Sequence, residues 1–120
     1  MSIINTFSQK VHSLKKRGQT SHMYAEPGIY QYDRQDEDSH SRMHLRVDAD
    51  GSGLLLVNAS RVVHLNPTAV QMTYLVLEKI QPNQAAQSIT ARFQVSNRHA
   101  LEDYIRIQEQ IEQLILPDGA

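Results

Sequence analysis

The chain changes its hydrophobic period at Asn66-Pro67. Ahead of that pair, Met43, Leu45 and Val47 alternate with polar residues, and two further short apolar runs follow at Leu54–Val57 and Arg61–Leu65. Beyond it, Val70, Tyr74, Leu77 and Ile80 recur every three or four positions. A period of two puts alternate side chains on one face of a strand, whereas a period near 3.6 draws one stripe along a helix. Strands first and helices afterwards define an α+β architecture. The junction itself is built for the switch. Asn66 is a good N-cap, and Pro67 takes the first helical position, where its missing N–H costs nothing.

The strand half predicts a three-stranded antiparallel meander. Asp48-Ala-Asp-Gly-Ser-Gly supplies a turn whose glycines suit positive φ, and Asn58-Ala-Ser is a tight connection. In the helical half, Gln81-Pro82-Asn83 ends the first helix. Asn83 is expected to cap a second helix, roughly Gln84–Phe93, anchored by Ile89 and Phe93. Ser96 or Asn97 then caps a last helix running to about Leu116.

Upstream, Ile3, Ile4, Phe7, Val11 and Leu14 predict an amphipathic helix over Ile3–Arg17. Lys10, Lys15, Lys16 and Arg17 load its C-terminal end, favoured there by the helix dipole, and Gly18 stops it. Pro27-Gly28 marks a turn, Ile29-Tyr-Gln-Tyr suits a short strand, and Asp33–Ser41 reads as a polar, acidic loop. The expected organisation is an N-terminal extension over 1-40, made of the helix and the acidic loop, followed by one domain over 41-117. A chain of 120 residues supports one modest core.

Composition excludes several function classes. The net charge is −1, without the basic excess that phosphate neutralisation calls for, so no nucleic-acid partner is expected. There is no cysteine, which removes disulfides, thiolate metal sites and cysteine nucleophiles together. The longest purely apolar run, Leu54–Val57, is far too short for a membrane span, and the N-terminus lacks a secretory core. A cytoplasmic protein with no membrane partner is the expectation. Asp48-Ala-Asp-Gly resembles a fragment of a calcium loop but lacks the twelfth-position acid. The histidines His12, His22, His40, His44, His64 and His99 are read as structural or exposed, and no serine sits in a nucleophile elbow. No catalytic residue, metal or cofactor is assigned, and an enzyme is not expected.

The last helix carries more apolar surface than a small sheet requires. On a wheel of about 100° per residue, Leu101, Ile105, Ile115 and Leu116 form the expected core stripe. Tyr104, Ile107, Ile111 and Leu114 extend the apolar arc to roughly half the circumference, where a stripe of about 100° would do. These four residues cover more sheet or the N-terminal helix, form a dimer seam, or wall a groove beside Arg61–Leu65. A sheet edge next to an apolar helix is the arrangement that captures an extended peptide by strand addition.

A meander, then Val62-Val-His-Leu-Asn-Pro-Thr-Ala69, then three helices resembles the PqqD-like family of winged-helix RiPP recognition elements. The matching motifs are Leu65-Asn66-Pro67-Thr68-Ala69, Ile89–Phe93 and the spaced aliphatics of Leu101–Leu116. The stretch from His44 to Asn66 is similar to the version found beside radical SAM peptide-modifying enzymes. The resemblance covers about Met43–Leu116. It departs from the family in the forty residues ahead of the hairpin and in Gln81-Pro82-Asn83, which replaces the usual glycine.

The resemblance implies a winged-helix-like fold, a precursor-peptide partner and a radical SAM partner enzyme. It also implies a site in which the leader of the precursor adds to Arg61, Val62, Val63, His64 and Leu65 and packs on Tyr104, Ile107, Ile111 and Leu114. The competing expectations are a structural or regulatory partner subunit that binds no peptide, and a winged-helix DNA-binding protein. The last helix argues against the second of these. From Arg98 to Leu116 it has two arginines against Glu102, Asp103, Glu109 and Glu112. Exposed strand edges also leave a homodimer open.

Overall fold

The computed structural model describes residues 23–35, 37 and 40–115. The helix expected over Ile3–Arg17 and the last apolar residue, Leu116, lie outside them. Four strands come first: β1 (Gly28–Gln35), β2 (His40–Val47), β3 (Gly53–Val57) and β4 (Arg61–Leu65). Three helices follow: α1 (Pro67–Leu77), α2 (Pro82–Arg92) and α3 (Asn97–Ile115). The strands pair in chain order as one antiparallel sheet, β1-β2-β3-β4.

The meander therefore has four strands, not three. The segment from Ile29 to Gln35 does not remain a short strand followed by an acidic loop. It pairs with β2 over its full length, from Gly28 opposite Val47 to Gln35 opposite His40. Alternation explains how acidic residues fit. Tyr30 and Tyr32 point to the core while Gln31 and Asp33 point away from it. The residues from Gly28 to Gln35, assigned above to an extension, belong to the sheet.

The helices cover one face of that sheet. Across it run Tyr30, Leu45, Leu55 and Val63 in one row and Tyr32, Met43, Val57 and Arg61 in the next. Leu45, Leu55 and Val57 are fully buried, each worth about 1.5–3 kcal/mol of apolar transfer. Ile29 and Val62 lie on the opposite, uncovered face and are 60% and 52% exposed.

Turn chemistry fixes the register. Gly51 has φ of 95°, as the expected turn requires. Gly53 is a glycine for a different reason. A Cβ there would fall on the Arg46 carbonyl oxygen across the ladder. Between β3 and β4, Asn58 and Ala59 both adopt left-handed backbone, with φ of 54° and 60°. Asn58 secures this corner by accepting from the Arg42 N–H at 2.8 Å and donating its own N–H to the Arg42 carbonyl.

α1 begins as its sequence predicts, with the Asn66 side chain accepting from Ala69 N–H at 2.8 Å. Its apolar residues are buried nearly all round, so it forms the centre of the domain rather than a striped outer helix. It ends three residues earlier than its apolar spacing suggests. Lys79 takes φ of 63°, and the Ile80 N–H reaches back to the Leu75 carbonyl, a Schellman closure. α2 opens on Pro82 rather than being capped by Asn83, and Gln81 makes no side-chain cap. Ser96 caps α3 by accepting from the His99 N–H.

The stretch before β1 is tied to the helices. Buried Gln71 accepts from Ala25 N–H at 2.8 Å and donates to the Ala25 carbonyl at 2.9 Å. Ser88 donates to the Met23 carbonyl, and the Arg92 guanidinium lies 4.1 Å over the Tyr24 ring.

Candidate functional site

β4 is an edge of the sheet. It pairs with β3 from Arg61 opposite Val57 to Leu65 opposite Gly53, and among the described residues no strand lies on its outer side. None of its five residues is fully buried. Arg61, Val63 and Leu65 face the helical layer and are partly covered, while Val62 and His64 face away and are exposed. A strand left open along one side presents alternate backbone N–H and C=O groups to whatever approaches.

α3 reaches the sheet near its C-terminal end. Arg34 on β1 donates to both Glu112 carboxylate oxygens at 2.7 Å, and the Ser41 hydroxyl reaches the Ile115 carbonyl. At its other end α3 packs on α2, with Ala100 fully buried. Between them the Tyr104 hydroxyl donates to the Ile80 carbonyl at 2.7 Å.

These contacts set the rotation of α3, and they differ from the wheel expectation. The core stripe is Ala100, Tyr104, Ile111 and Ile115. Ile105, assigned to the core, is 40% exposed, and Leu101 is only partly buried. Tyr104 and Ile111, proposed as spare apolar surface, are buried. Ile107 and Leu114 remain partly buried at the margin of the core. They lie on a flank of their own. At about 100° per residue, both stand roughly 140–160° around the helix from Glu112. Because Glu112 is held to β1, their flank is turned away from β1.

Of the nine residues assigned to the site, five form the open strand, two line one flank of α3, and Tyr104 and Ile111 form the packing behind that flank. The buried alanine at position 100 was the sequence signal for the true stripe. A small residue where two helices meet marks close approach better than the larger aliphatics around it.

The groups with raised pKa are Tyr30, Tyr32, Tyr74 and Tyr104, each chiefly through burial of the phenol. Tyr32 is buried against α1, where its hydroxyl donates to Glu78 at 2.7 Å. Asp48 and Asp50, in the calcium-like turn, contact Arg46 and Ser52. His40 and His44 lie four residues apart, but on a strand that spacing separates them by about 13 Å. No three candidate ligands cluster among the described residues. Nor is any described helix long and apolar enough to cross a membrane. On α3, Arg98 pairs with Glu102 and Arg106 with Asp103, so its cations are already matched within the helix.

Comparison with protein-family models, with curated proteins and with solved structures finds no match.

Proposed function

We propose that the domain is a non-catalytic peptide-binding module that takes an extended segment as a fifth strand along β4. Two separate features support this reading: the open five-residue edge β4, and on α3 an apolar flank, Ile107 and Leu114, that is turned away from β1. A segment added to β4 makes backbone hydrogen bonds to the strand. Every second side chain of it turns toward Arg61, Val63 and Leu65 and the α3 flank. The remaining side chains share the outer face with Val62 and His64. Tyr104 and Ile111 hold the wall in position from behind.

The resemblance of Val62–Ala69 and of the helices to PqqD-like proteins suggests the ligand class and a winged-helix-like fold. The ligand is then the leader of a ribosomally made precursor peptide, presented to a radical SAM modifying enzyme. The module contributes effective concentration and orientation rather than chemistry.

The test is titration of a fluorescent leader peptide, encoded beside this chain, into the wild type and three variants. Ile107→Glu puts a charge on the wall. Val62→Pro and Val63→Pro each remove one β4 amide, and because alternate amides of an edge strand point outward, one of the two lost is available to the peptide. Micromolar or tighter binding, weakened at least about tenfold by Ile107→Glu and by one proline variant, is the expected result. Thermal unfolding of each variant shows that the fold survives. Absence of binding to any local leader overturns the reading, and binding indifferent to all three changes overturns the site.

A further inference from the structure

Charge is divided unevenly along this chain. All thirteen acids lie at or after Glu26, whereas Lys10, Lys15, Lys16 and Arg17 lie before it. The segment before Glu26 is purely basic, and the rest of the chain carries the acidic excess. Ile3, Ile4, Phe7, Val11 and Leu14 share that basic segment at helical spacing. On a wheel of about 100° per residue, Lys10, Lys15 and Arg17 border the apolar stripe within roughly 60–80° of its centre at Phe7.

The outer flank of α3 has the complementary pattern. Ile105 is 40% exposed there and Leu101 is partly buried. Around Ile105 stand Glu102, Glu109 and Glu112, within about 60° of it on the wheel. Glu102 and Glu112 keep more than half of their side-chain surface exposed despite their arginine partners, and Glu109 has no ion pair among the described residues. The described chain begins on α2, the helix that packs on α3, with Met23 bonded to Ser88 and Tyr24 lying under Arg92.

We infer that the Leu101–Ile105 flank of α3 is the docking surface for the chain's own basic segment Ile3–Arg17. The apolar stripe covers Ile105 and Leu101, and its bordering cations meet Glu102, Glu109 and Glu112. This flank lies about 160° around α3 from Ile107, so the docked segment leaves the β4 groove open. The inference does not depend on peptide binding there.

The test uses the full chain, which has no native cysteine. A nitroxide is attached at Gln9→Cys, on the polar side of the segment, and paramagnetic broadening of backbone amides is measured by NMR. Docking in cis broadens the amides around Leu101, Ile105 and Glu109 to loss of most of their intensity. That loss persists on dilution and is reversed by Ile105→Glu, an exposed position whose change leaves the core intact. Three results overturn the inference. One is no selective broadening on α3. Another is broadening seen only when labelled and isotope-enriched molecules are mixed, which assigns the surface to a second copy. The third is broadening of β4 and Ile107 instead, which puts the segment in the groove.

Discussion

The two edges of the sheet are built on opposite terms. β1 pairs over eight residues, buries Tyr30 and Tyr32, and is linked to the helices through Tyr32–Glu78 and Arg34–Glu112. Tyr30 also packs edge-on against Tyr74 of α1, with ring centroids 5.3 Å apart. β4 is five residues long, buries none of them fully, and ends directly in the cap of α1. One edge is fastened by side chains that cross to another layer. The other is held by its ladder to β3 and by the partly buried Val63 and Leu65 packed against the core. Among the described residues both β1 and β4 lack a strand on their outer side, so the two edges differ in how they are anchored and not in how they are paired.

The largest test of that contrast is side-chain truncation on each edge. Tyr32→Ala is expected to cost about 3–5 kcal/mol through lost core volume and the unpartnered Glu78. Val62→Ala is expected to stay within about 0.5 kcal/mol. Urea unfolding measures both, and similar costs at the two edges would erase the distinction.

Alkaline pH probes the same asymmetry. Burial raises the pKa of Tyr30, Tyr32, Tyr74 and Tyr104 above the ordinary value. Their contribution is therefore complete below the unfolded pKa near 10 and is lost as pH rises above it toward the folded values. Each tyrosine adds up to about 1.4 kcal/mol per pH unit to the fall. Tyr32→Phe is expected to make the decline between pH 10 and 11 shallower in thermal melts, while Val62→Ala on β4 leaves it unchanged.

Smaller effects follow at the links and corners. Ala59→Gly relieves left-handed backbone at the turn into β4 and is expected to stabilise by up to about 1 kcal/mol. A loss of stability would show that the alanine methyl makes a contact worth more than the strain. Arg34→Ala opens the exposed clamp on Glu112 at a cost of about 0.5 kcal/mol. Raising the salt concentration should shrink that difference, since the pair faces solvent.

Much of this fold is written locally, and the departures come from what local pattern cannot weigh. Asn66-Pro67, the β3–β4 connection and the Ser96 cap were legible because each depends on its own few residues. β1 was only half legible. Asp33, Asp36, Glu37 and Asp38 suggested a loop, yet Tyr30 and Tyr32 two apart already carried the strand's inward face. For α3 the number of large aliphatics misled the rotation, since Ile105 outweighed Ala100 on a wheel but not in packing. The strand Arg61–Leu65 could be read from sequence. Which α3 aliphatics are buried and which stay at the margin of the core was set by the tertiary contacts of Tyr104 and Glu112. The clamp of Gln71 on Ala25 had no sequence signal at all.

The order of the elements also sets a sequence of events during synthesis. Each strand of the meander pairs with the one made just before it, so the sheet closes through short loops and at low entropic cost. Its apolar face then stays wet until α1, the next element made, arrives to cover it. The Arg34–Glu112 bond joins residues 78 positions apart and waits for nearly the last turn of α3. A nascent chain stalled before α3 emerges would thus carry a finished sheet with both edges unpaired and its apolar face only partly covered. Such a chain is the form most exposed to pairing with its own copies.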